Sequence, residues 1–194
     1  MRVLRQSAFI AALWLAAAPL APTAAQAPAA GAAVDAASQA ILASPKVVRA
    51  LEDIKADDDR AFAEQKRITE IPAPPYKERQ RAEYFLKRFL ELGFKDATID
   101  TEGNVIGLRK GSSGGRPKLV VSAHLDTVFP EGTDVTVKEK DGIILAPGIG
   151  DDSRGLAALL SLIKSINSNA IATVGDVMFV GTVGEEELGN LRGV

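Results

Sequence analysis

The stretch VVSAHLDTVFP, Val120 to Pro130, holds the one histidine of the chain, His124, two residues ahead of Asp126. An imidazole near a carboxylate can ligate a metal ion or move a proton. Two further acidic groups could join it. Asp151 and Asp152 lie in the Gly-rich turn APGIGDDSRG, and Glu185, Glu186 and Glu187 end the run DVMFVGTVGEEE. Each group alone has a plainer explanation. A lone histidine beside a buried strand is commonly satisfied within the core, an aspartate at such a turn commonly caps a helix, and a glutamate run commonly forms a solvated edge. Taken together they differ, because crowded carboxylates repel unless a cation reconciles them, and the repulsion grows as water is excluded.

Position along the elements sharpens this. The pleat of a strand turns residues two apart the same way, so His124 and Asp126 are expected to point together. The Asp126 carboxylate then accepts the second N–H of the imidazole and fixes which nitrogen faces a metal. Glu186 and Glu187 are adjacent and are expected to diverge, which suits one to metal binding and the other to proton transfer.

The elements that must hold these groups follow from periodicity. KLVVSAHLD and DVMFVGT are continuous apolar runs of the kind found in buried strands. LAALLSLIKSI places Leu156, Leu159, Leu160, Ile163 and Ile166 on one helical stripe, and Ala82, Phe85, Leu86, Phe89 and Leu90 form another that Gly93 closes. A helix is expected to start at Ser44-Pro45. Asp57 to Asp59 read as a solvated cap opening a further helical segment, which Pro72 stops. ATID and NVIGLRK predict short strands, and VTVKEKDGIIL predicts a hairpin turning at Asp141-Gly142. GSSGG reads as a surface loop without the Lys-Ser/Thr context of a phosphate-binding loop. The alternation predicts an α/β fold, a mixed sheet flanked by helices. In such sheets ligands gather at the carboxyl ends of strands, where the three polar groups fall.

With 194 residues, 46% hydrophobic and 25% charged, the chain can bury one real core. Its net charge of -2 and lack of a basic stripe argue against a nucleic-acid partner, and with no cysteine there is neither a disulfide framework nor a thiolate metal site. Residues 1–27 read as a secretory signal peptide, with Arg2 and Arg5 ahead of an apolar run and an Ala-Gln-Ala ending at Ala27. A retained membrane anchor is the alternative. Residues 28–44 read as an Ala-rich mobile leader. The mature protein is expected to be periplasmic or secreted, with no membrane partner after cleavage.

SAHLDTVFP, APGIGDDSRGLAAL and GTVGEEELG together resemble the co-catalytic zinc peptidases related to carboxypeptidase G, aminoacylase and peptidase T. The resemblance implies that residues 45–194 are the N-terminal part of a metallopeptidase catalytic domain, C-terminally incomplete. It also implies a site for two zinc ions, with manganese or cobalt suited to the same ligands. His124 and Glu187 would each ligate one metal and Asp151 would bridge them. Asp126 would partner His124, and Glu186 would be the general base that activates water. Asp152 and Glu185 would support the turn and the strand end. The substrate would be a peptide or an N-acyl amino acid, and a homodimer is implied for the complete protein.

The resemblance further implies an Asp or Glu soon after Val194 and a second histidine much later. The chain is accordingly expected to be a fragment, inactive alone, with its final strand left as an unpaired edge. A non-catalytic metal-binding or interaction protein that kept half the site is the competing reading. A nucleotide-binding α/β domain is a third, disfavoured because no Gly-rich strand-to-helix loop is present.

Overall fold

The structure is a computed structural model that describes residues 28–194; the signal-peptide reading of residues 1–27 lies outside the described residues. Within the Ala-rich leader, Pro28–Leu42 form helix α1, in keeping with the high helix propensity of alanine. Gln39–Val194 form one compact unit. No helix among the described residues is long and apolar enough to cross a membrane.

Helix α2 spans Pro45–Ala56, with Ser44 at the cap position and Pro45 in the first turn. Helix α3 (Asp58–Thr69) follows, and α4 spans Arg79–Glu91. The chain reverses at Gly93, whose φ of 96° suits a residue without Cβ. Two short strands come next, β1 (Thr98–Ile99) and β2 (Val105–Arg109). The turn between them is tied by Asp100, whose Oδ1 accepts the N–H groups of Glu102, Gly103 and Asn104. Strand β3 is Pro117–His124, β4 and β5 are Lys138–Lys140 and Ile143–Leu145, α5 is Ser153–Ser168, and β6 is Asp176–Thr182. The β4–β5 hairpin turns at Asp141 and Gly142, as expected. Both have positive φ, the geometry whose twist matches paired strands.

The main sheet has the order β1-β2-β6-β3, antiparallel except for the parallel β6–β3 pair. The fold is therefore mixed α/β, as read from the sequence. Helix α4 packs on β1 and β2, while α5 lies on β3 and meets α2 and α3. Phe85, Phe89, Phe94 and Phe179 form a chain of tilted rings with centroids 4.9, 5.3 and 5.7 Å apart. Glycines let this chain approach the sheet. A Cβ at Gly107 or Gly181 would come within 2.8 Å of the ring of Phe89 or Phe85. Each fully buried phenylalanine contributes roughly 1.5–3 kcal/mol.

Four expectations fail here. The final strand, β6, is not an open edge: it is paired on both sides, by β2 and β3. β3 lies at one edge of the sheet and β1 at the other, so the β3 run is not wholly buried, and Leu119 and Val120 are 55% and 58% exposed. The solvated-cap reading of Asp57 fails because Arg60 Nε lies 2.8 Å from both of its carboxylate oxygens, and Lys164 and Ser161 of α5 also reach it. Leu90 leaves the α4 stripe and faces solvent.

Candidate functional site

The end of β3, the start of α5 and the end of β6 meet. The parallel ladder brings His124 beside Thr182, and Leu125 N–H continues it by donating to the Thr182 carbonyl at 2.7 Å. The two aspartates of the turn then divide. Asp152 caps α5, accepting the Gly155 N–H at 2.9 Å, and its other oxygen accepts the His124 backbone N–H at 3.1 Å. Asp151, across a cis peptide bond from it, is 78% exposed and places Oδ1 2.8 Å from Nε2 of His124.

Asp126 is fully buried and does something other than expected. Its carboxylate accepts the backbone N–H groups of Glu185 at 3.1 Å and Glu186 at 2.9 Å. The close partner of the imidazole is instead its carbonyl oxygen, 3.1 Å from Nδ1, with the carboxylate at 3.8 Å. Strand β3 ends at His124, so the alternation that would aim the carboxylate at the ring does not persist. A carbonyl can only accept, so Nδ1 carries a proton and Nε2 is the nitrogen turned toward the acidic groups.

Among the described residues, His124, Glu185 and Glu186 have ligating atoms mutually within 4.8 Å. Glu185 Oε2 lies 3.9 Å from Nε2. Glu187 is outside this group. It opens a short 3-10 turn, Glu187–Gly189, closed by the Gly189 N–H on the Glu186 carbonyl, and it is exposed. The residue that joins Glu186 near the imidazole is Glu185.

The electrostatics follow from crowding. Burial opposes charge on His124, but the hydrogen bond to Asp151 and the fields of Asp152, Asp126 and Asp151 outweigh it and raise its pKa above the ordinary imidazole value. Burial raises Asp152 despite the His124 and Gly155 N–H groups. Burial, then the Asp151 carboxylate, then Glu185 and Asp126 raise Glu186 against the favourable field of His124.

Arg81 is a residue that sequence reasoning missed. It is fully buried and donates to the Leu125 carbonyl at 2.8 Å and to the Ile71 carbonyl at 2.6 and 2.9 Å. Burial lowers its pKa to about 10, against the field of Asp126. It anchors the chain from beneath, immediately before Asp126. The signal was present: Arg81 lies four and eight residues ahead of Phe85 and Phe89, on the face those rings bury.

Comparison with known proteins agrees with this picture. Residues 120–194 match the profile of peptidase family M20/M25/M40. A Pyrococcus abyssi protein named for LysW-lysine/LysW-ornithine hydrolysis is 33% identical over 121 residues, covering 62% of this chain and 32% of that protein. The N-formyl-4-amino-5-aminomethyl-2-methylpyrimidine deformylase of Bacillus subtilis is 28% identical over 136 residues, covering 63% of this chain and 32% of its own. The crystal structure of aminopeptidase PepT from Bacillus cereus aligns with a TM-score of 0.56 at 26% identity, covering 69% of this chain and 39% of that one. The chain thus spans about a third of the length of the curated relatives it matches.

Proposed function

We propose, from the match of residues 120–194 to peptidase family M20/M25/M40, that the whole protein hydrolyses an amide bond of a peptide or N-acyl amino acid at a metal site centred on His124. One observation carries the reading: Nε2 of His124 faces Asp151 and Glu185, with Glu186 beside them, where two parallel strands end and a helix begins. The donor set fits zinc, being an imidazole nitrogen and carboxylate oxygens. A cation there would also relieve the crowding that raises Glu186. His124, Asp151 and Glu187 would hold the zinc; the observed geometry makes Glu185 a rival for the place of Glu187. Zinc so held supplies Lewis acidity to the scissile carbonyl and makes water a nucleophile near neutral pH.

The residues of the chain do the rest. The Asp126 carbonyl keeps the proton on Nδ1 and so presents Nε2 outward. The Asp126 carboxylate holds the backbone at 185 and 186. Glu186, with its pKa raised, takes a proton from water and returns it to the leaving amine.

Titrating the chain with zinc tests the metal site. Zinc at 100 times its dissociation constant should stabilise the fold by about 2.7 kcal/mol, and His124→Ala should abolish this. Comparing Glu185→Ala with Glu187→Ala identifies the carboxylate ligand. In the whole protein, Glu186→Gln should keep zinc and lose turnover. Unchanged zinc affinity in His124→Ala would sink the site, and zinc binding without turnover of any amide would favour the non-catalytic alternative. Residues 1–27 we read as an export signal; N-terminal sequencing should find the periplasmic or secreted protein beginning near Pro28, and an exported chain retaining Met1 would refute it.

A further inference from the structure

Beside the cluster lies a cavity of about 340 Å³ lined by Val128, Phe129, Ala146, Ile149, Asp151 and Glu186. Its volume is at the low end of the roughly 300–1,000 Å³ range of small-molecule sites. Only Asp151 and Glu186 among its lining side chains can hydrogen-bond, and both belong to the acidic cluster. A polar group entering elsewhere would lose water without compensation. An apolar one would cover Val128, which is 55% exposed.

Two glycines, Gly148 and Gly150, also line the cavity. Gly148 turns the loop with φ of 74°, and a Cβ there would come within 2.9 Å of Thr127 Cγ2. Gly150 differs: a Cβ there would meet nothing within 4 Å. A side chain at residue 150 would therefore enter open space.

We propose that this cavity takes the apolar side chain of a substrate residue flanking the scissile amide, which makes amides of leucine- or phenylalanine-like residues the substrate class. The inference rests on the hydrolase reading of the same site. The cavity is continuous with that site through Asp151 and Glu186, so a bond held at the cluster leaves its neighbouring side chain at the cavity mouth.

The test uses the whole chain and two probes, leucinamide and glycinamide, followed by NMR at the methyl groups of Val128, Ala146 and Ile149. Leucinamide should shift these signals and bind on the order of tenfold more tightly, the scale of burying one aliphatic side chain. Gly150→Val puts methyl groups into the space and should erase the preference. Val128→Ser, at an exposed position on which the fold does not depend, should narrow it. Equal binding of the probes, or leucinamide shifts confined to other residues, overturns the proposal. A zinc titration of the same sample separates the two readings. Zinc binding without a leucinamide preference refutes the cavity and leaves the metal site standing; a preference without zinc binding does the reverse.

Discussion

Two acidic turns read alike in the sequence, Asp57–Asp59 entering α3 and Asp151–Asp152 entering α5, yet they reach opposite electrostatic states. At the first, Arg60 and Lys164 meet Asp57, and the bond to Arg60 leads the effects that hold its carboxyl down at about 2. At the second, Asp151 meets an imidazole while further carboxylates crowd in, and Asp152 and Glu186 are pushed up. Where the chain needs acid for structure, it brings its own cations. Beside His124 no described lysine or arginine pairs with Asp151, Glu185 or Glu186, and balancing their charge is the part proposed for a metal ion.

The largest break in this contrast should come from beneath the second turn. Arg81→Met leaves the buried Leu125 and Ile71 carbonyls without their guanidinium donor and should lower the unfolding free energy by about 1–3 kcal/mol for each carbonyl, read from urea denaturation. Next comes a direct comparison of the turns. Asp57→Ala removes the partner of Arg60 and Lys164 and should cost about 1–3 kcal/mol. Asp151→Ala in metal-free protein should stay within about 0.5 kcal/mol; a comparable loss at both positions would erase the distinction.

The smallest effect is a pH dependence. The folded pKa of Asp57 lies below its ordinary value of 3.8, so its stabilisation is complete above that value and drains away as pH falls through about 2. Asp57→Asn should flatten this part of the urea-midpoint profile; an unchanged profile would show that the ion pairs are not sensed by folding.

The hairpin at Asp141-Gly142, the α4 and α5 stripes and the apolar strands were legible because each rests on neighbours in sequence. Pairing across distance was not. Nothing in DVMFVGT says that β2 and β3 will flank it, so the last strand read as an edge when it is interior to the sheet. The Asp57 reading failed for the same reason, since Lys164 and Ser161 arrive from α5. At the site, residue types located the three loops, and Asp152 could be placed as a cap. The role of Asp126 could not, because the N–H groups its carboxylate accepts belong to residues 185 and 186, set close only by the parallel β3–β6 pair.

That pair of hydrogen bonds has a consequence for redesign. Asp126 grips main-chain atoms alone, so the direction in which residues 185 and 186 project does not depend on what they carry. If the proposed metal site holds, exchanging either glutamate for histidine should leave the scaffold in place and change the ion preferred, so that selectivity is rewritten without disturbing the mounting.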